Sequence, residues 1–223
     1  MILPEVLQPL AISLKVAGAA TVVIVPPGVF LGFLLARRRF RGKTIVETLT
    51  SLPLVLPPTA IGYLLLGLLS RSGPLGVRSL SFDLDILLTW KAAALASAIM
   101  ALPLVARTSR VAFESVDRRL EAMARTLGFS PARTFLAITL PLARKGLLAA
   151  AILGFSRALG EFGATVIVAG SIPGRTQTMA LAIFNDIQVG RDGDAVALVG
   201  VTVALAFGAI WAVEILSRSR RAA

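Results

Sequence analysis

RTSRVAFESVDRRLEAMARTLGFSPARTFLAITLPLARK, residues 107–145, is the stretch on which the reading of the chain turns. It carries eight Lys and Arg residues and is too polar to cross a membrane, yet its apolar residues keep helical order. Val116, Leu120, Met123 and Leu127 recur at spacings of four, three and four, which sets them on one helical face. Arg118, Arg119, Glu121 and Arg125 lie elsewhere on that helix's surface. Gly128 follows as a residue that can take the left-handed conformation closing a helix. Ser130 and Pro131 supply an N-cap and a first helical position for a second, short helix with Phe135, Ile138 and Leu142 on one side. Pro141 is where that helix is expected to bend or end. The expected unit is helix, glycine turn, short helix. Set between two spanning helices, such a stiff unit would pass on a push from a soluble partner, where a loop would absorb it. The alternative is an amphipathic hairpin lying on the membrane surface with no partner.

Outward from this stretch the chain turns apolar. Of its 223 residues 56% are hydrophobic, with a mean hydropathy of +0.83. The apolar residues gather in blocks at about 10–36, 44–70, 86–106, 146–169 and 195–217. Each is long enough for a hydrocarbon core that takes about 20 helical residues to cross. The expected fold is all-α: a polytopic membrane protein of about five transmembrane helices plus a cytoplasmic coupling-helix hairpin. It forms one transmembrane domain over 10–217, with 107–145 as a segment within it. The opening MILPEVLQPL has no basic leader and no small-residue cleavage site, so it reads as the lead-in to a retained helix.

Charge sets the expected orientation. Residues 37–43, 107–145 and 218–223 hold sixteen Lys and Arg residues, whereas 1–9, 71–85 and 170–194 hold four. These two groups of segments alternate between the blocks. The asymmetry places the N-terminus outside and the C-terminus in the cytoplasm. It also accounts for the net charge of +11 without nucleic acid. The chain has no histidine and no cysteine, which argues against metal-dependent, hydrolytic or thiol chemistry; no metal site and no catalytic residues are expected.

Within the blocks, Pro26-Pro27 and the set Pro53, Pro57 and Pro58 should kink or break their helices, since each proline removes a backbone hydrogen bond and clashes with the preceding turn. The readings are a bent, pore-lining helix pair or ordinary proline tolerance in a packed bundle. Gly28 and Gly32 permit close helix approach, read as internal packing. Arg157 and Glu161, four apart, should face protein or water and each other. With Phe162 and Gly163 they either line and gate an anion path or form a structural ion pair. Lys15 and Lys91 are read as snorkelling to the outer interface. Residues 176–188 are read as a short outer helix, either receiving a binding protein or simply interfacial.

The hairpin resembles the cytoplasmic motif shared by permease subunits of binding-protein-dependent ABC importers: Glu-Ala-Ala, three residues, Gly, nine residues, Ile, one residue, Leu-Pro. Gly128, Ile138, Leu140 and Pro141 match that spacing. Ala122, Met123 and Ala124 stand where the motif has Glu-Ala-Ala, and Glu121 lies one residue early. SLPLVLPPTAIGYLLLGLLSRSGPLG (51–76) and ALGEFGATVIVAGSIPGRTQTMALAIF (158–184) are similar to molybdate permeases. The resemblance implies a homodimer in a bacterial or archaeal plasma membrane, capped by two cytoplasmic ABC ATPase subunits that bind ATP and Mg. An extracytoplasmic oxyanion-binding protein would deliver molybdate to it. It also implies that Glu121, Ala122, Met123, Ala124, Arg125, Gly128, Ser130, Pro131, Ile138, Leu140 and Pro141 form the segment that docks on the ATPase. Pro57, Pro58, Arg157, Glu161, Phe162 and Gly163 are the candidate pathway residues.

The chain should carry no motor of its own. RRRFRGKT (37–44) ends in Gly-Lys-Thr, but a phosphate-cradling loop needs glycine where Arg37 stands, and no strand precedes it. Sulfate, thiosulfate or tungstate on the same architecture remain alternatives. A secondary transporter or channel working without ATP is a further one, although no inverted repeat is visible.

Overall fold

A computed structural model describes residues 2–75 and 85–218; Arg78, Arg220 and Arg221, counted in the charge asymmetry, lie outside them. The helices are α1 (Ile2–Arg37), α2 (Lys43–Val55), α3 (Pro58–Leu69), α4 (Trp90–Glu114), α5 (Arg118–Thr126), α6 (Pro131–Leu159), α7 (Gly163–Ala169), α8 (Met179–Gln188) and α9 (Asp192–Arg218).

Helix α4 is the centre of the bundle. Alanine and serine dominate its buried positions, among them Ala93, Ala96, Ser97, Ala101 and Ser109. Small side chains let neighbouring backbones come close, which is how helices associate where lipid is as apolar as the side chains. Gly28 and Gly32 of α1 complete that approach. A Cβ on Gly28 would stand 2.6 Å from Val105 Cγ1, and one on Gly32 2.6 Å from Ser109 Cβ.

These contacts also fix direction. Lys15 of α1 lies over Trp90, Gly28 meets Val105, Gly32 meets Ser109, and Arg37 bonds the Val116 carbonyl beyond the end of α4. Helices α1 and α4 therefore run parallel. The chain between them must return across the bundle, and the residues available are those of α2 and α3. That pair is bent by 110°. At about 1.5 Å per residue, neither its 13-residue nor its 12-residue helix crosses a hydrocarbon core alone. Counted together as one broken crossing, they bring the candidate crossings among the described residues from four (α1, α4, α6 and α9) to the expected five. The break has a local cause. A residue preceding proline is driven from the α region, and Leu56 and Pro57 both precede one; their ψ angles are 142° and 134°. Pro58 then begins α3, at a position that needs no N–H.

Four expectations need correction. Of the kink or break expected at Pro26 and Pro27, the break does not occur: helix α1 is continuous through both, its flank held along α4. The third crossing extends to Glu114 rather than about 106. Its basic last turns are satisfied there: Arg107 donates to Ser51 Oγ at 2.9 Å, and Arg110 pairs with Glu47 and Glu114, each at 2.7 Å. Pro141 does not end its helix. Residues Phe135–Thr139 form one π turn, in which the Leu140 N–H reaches back to the Phe135 carbonyl, and the wider turn admits the proline ring. Helix α6 thus runs unbroken from the hairpin into the bundle. Finally, the fourth block is not one helix, because α6 stops at Leu159 and α7 starts at Gly163.

Candidate functional site

The hairpin is closed by backbone geometry. Asp117 caps α5, accepting from the Arg119 N–H at 2.8 Å. At its far end the Phe129 N–H donates to the Ala124 carbonyl and the Gly128 N–H to the Arg125 carbonyl, both at 3.0 Å. This paired closure requires a left-handed residue, and Gly128 has φ +83°. Ser130 then accepts from the Arg133 N–H and starts α6.

Helix α5 has two opposed faces. Leu120, Met123, Ala124 and Leu127 line one wall of an apolar groove of about 350 Å³, with Ile138, Pro141 and Leu142 of α6 on the other. Leu127 is 77% exposed and Met123 62%, so the stripe visible in the sequence faces out. Val116 does not share it, being buried with Phe113 and Ala143. Nor does Phe135 share a side with Ile138 and Leu142: it stacks edge-on against Phe33 of α1, centroids 4.9 Å apart, because the π turn shifts the register. Leu140 is half-buried just past that turn.

The other face of α5, carrying Arg118, Glu121, Ala122 and Arg125, looks toward the end of α1 across a polar hollow that Pro131 also lines. Glu121 does not point away from the protein. Its Oε1 forms an ion pair with Arg37 at 3.0 Å and accepts from the Thr139 hydroxyl at 2.7 Å, tying α1, α5 and α6 together. Arg37 also donates to the Val116 carbonyl at 3.0 Å, and Arg118 to the Ala36 carbonyl at 3.2 Å. Sequence reasoning missed Arg37 and Thr139. Arg37 sits in a basic run that reads as plain interfacial charge, and no spacing rule links it to Glu121.

The pathway candidates come together at the second break. Glu161 is 2% exposed. One oxygen accepts from Arg157 at 2.8 Å and the other from the Ala164 N–H at 2.9 Å, which caps α7. Gly163 abuts the first break, where a Cβ on it would lie 2.8 Å from Pro58 Cβ. Gly62 of α3 meets the Ala164 carbonyl in the same way, at 2.8 Å. The two broken helices therefore interlock at their new N-termini, with Pro57 capping α3. Phe162 packs on Phe184 of α8, centroids 5.0 Å apart.

At the end of the bundle opposite the hairpin, Lys15, Lys91 and Arg175 line a hollow of about 400 Å³ with Asp85, Thr89 and Thr176. Lys15 Nζ sits 4.1 Å above the Trp90 ring, an interfacial arrangement for both side chains. The expected outer helix is α8, which starts at Met179 rather than about 176 and packs on α9. Among the described residues no cluster of acidic side chains suits a metal ion.

Residues 28–222 match the family described as binding-protein-dependent transport system inner membrane component. The chain is 41% identical to the molybdenum transport system permease protein ModB of Escherichia coli (strain K12), over 96% of this chain and 94% of that protein. It is 46% identical to ModB of Haemophilus influenzae over 79% and 78% of the two chains. The sulfate transport system permease protein CysT of Salmonella typhimurium is 34% identical over 83% of this chain and 67% of its own length. Among solved structures, a bacterial ABC transporter involved in the import of the acidic polysaccharide alginate superposes with a TM-score of 0.76 at 16% identity. That match covers 96% of this chain and 79% of the other.

Proposed function

We propose a function from one premise: this chain belongs to the family of binding-protein-dependent transport system inner membrane components. Within that family of polytopic, non-catalytic membrane subunits, it is the permease of an ATP-driven molybdate importer. The observation that carries the reading is the hairpin, a Schellman-closed helix with an uncovered apolar groove on one face and a tie to α1 on the other. In this reading a cytoplasmic ATPase, which binds ATP and Mg, seats on the groove. Motion imposed on α5 passes across the Gly128 turn into α6, which the π turn keeps continuous into the bundle, and into α1 through Arg37.

The charge asymmetry supports a cytoplasmic hairpin and an outer N-terminus. The outer hollow then presents Lys15, Lys91 and Arg175 to the side from which a binding protein would deliver an anion. Glu161 is buried and paired, so it suits holding the break rather than contacting an oxyanion. Arg157 keeps 30% of its side chain exposed, and a cation of that kind within a crossing belongs against water or another protein surface rather than lipid. This supports a path or a second copy of the chain on that face. The two molybdenum relatives support molybdate as the cargo.

Two measurements test this. Gly128→Val puts a β-branched residue at φ +83°, where it is strongly disfavoured, while a Cβ there meets nothing within 4 Å. The expected result is lost ATPase association and lost uptake, and wild-type values for both would refute docking. Uptake of labelled molybdate by the reconstituted complex, in competition with sulfate, tests the cargo, and a preference for sulfate would overturn it.

A further inference from the structure

The polar hollow between α1 and the hairpin, about 640 Å³, holds more positive charge than the Arg37–Glu121 tie uses. Arg37, Arg38, Arg118 and Arg125 line it against a single carboxylate, Glu121. That carboxylate is already engaged by Arg37 and Thr139. Among the described residues, Arg38, Arg118 and Arg125 form no ion pair. The wall also holds two buried donors without partners. The Arg37 side chain is 8% exposed with its Nε unbonded, and Thr134 is 2% exposed with its hydroxyl unbonded. Buried donors are almost always paired in folded proteins, so two unpaired ones in one wall are unusual.

We propose that this hollow binds a phosphoryl-type oxyanion at the membrane face. Guanidinium forks match tetrahedral oxyanions through paired N–H bonds, and several cations facing one engaged carboxylate suit a group with more than one anionic oxygen. Depth fits as well. From Lys15, beside the interfacial Trp90, α1 rises at about 1.5 Å per residue and places Arg37 roughly 33 Å away, at the opposite headgroup layer. Basic pockets between helix ends at that layer take anionic lipid headgroups. A headgroup phosphate and a free phosphate ion share this chemistry. Either would bridge α1 to the lever from the face of α5 opposite the apolar groove, leaving the groove open to the ATPase.

The test uses the full-length permease in nanodiscs, whose two leaflets are alike, so its result does not depend on orientation or cargo. One arm uses equal phosphatidylglycerol and phosphatidylcholine and reads retained lipid by native mass spectrometry. The other uses phosphatidylcholine alone with labelled inorganic phosphate. The variants are Arg38→Gln with Arg125→Gln, both in the hollow, and Arg119→Gln, which removes an equal kind of charge from outside it. The expected result is binding in at least one arm, reduced about tenfold by the double change and little by Arg119→Gln, with unaltered helicity. Retained phosphatidylglycerol identifies the headgroup as the source, and labelled phosphate in the second arm identifies the free ion. Binding in neither arm overturns the proposal, as does equal loss in Arg119→Gln, which would mean diffuse surface charge.

Discussion

Glu121 and Glu161 make the same pair of bonds in different places. Each carboxylate pairs with one arginine and accepts from one further donor, at 3.0 and 2.7 Å for Glu121 and at 2.8 and 2.9 Å for Glu161. The partners of Glu161 lie four residues before it and three after, so its bonds hold one local break in shape. Those of Glu121 come from two other helices, so its bonds hold elements to each other. A local pair protects a conformation, whereas a distant one carries motion. Loss of the first should therefore appear mainly in stability, and loss of the second mainly in coupling.

The largest stability effect is expected at Glu161→Ala. It strands Arg157 and leaves the Ala164 N–H unbonded inside the bundle, at a cost of about 3 kcal/mol. Thermal unfolding of the purified chain checks this. Glu161→Gln, which can still accept from Ala164, should recover about half of the loss; an undamaged Ala variant would mean the break is held by packing alone. Glu121→Ala should cost less, roughly 2 kcal/mol, because Arg37 keeps the Val116 carbonyl. Its uptake should nonetheless fall about tenfold while the ATPase stays bound. Uptake that falls only in proportion to stability would erase the contrast between the two carboxylates. Thr139→Val removes one hydroxyl bond and preserves shape, with an expected cost of about 1 kcal/mol. In a double-mutant cycle with Glu121→Ala it should be non-additive, since both changes delete the same bond.

Spacing made some of this site legible beforehand. The Arg157–Glu161 pair follows from an interval of four on a helix, and the break at Pro57-Pro58 from backbone sterics, because neither needs knowledge of a neighbour. The closure at Gly128 was legible for the same reason. The Arg37–Glu121–Thr139 tie was not, since a cation in a basic run has no signature for a partner on another helix. The passage of Pro141 through α6 was missed because a π turn leaves no periodic mark. The contact of Pro58 with Gly163 was not legible, because both stood among the pathway candidates with no spacing rule to set one break against the other.

By itself the sequence determined a polytopic all-α chain of about five apolar blocks, the charge asymmetry along it and a helical hairpin between the third and fourth blocks. Hydropathy, charge counts and turn residues act over a few neighbours and are insensitive to packing. Only the tertiary structure decided which face of α5 is buried in polar contacts and which is left apolar and open. It likewise decided that α6 runs unbroken from the hairpin into the bundle and that two broken helices interlock. Those features depend on which side chains from distant segments arrive at one point, and that is set by the close approach of α1, α4 and α6 through small residues.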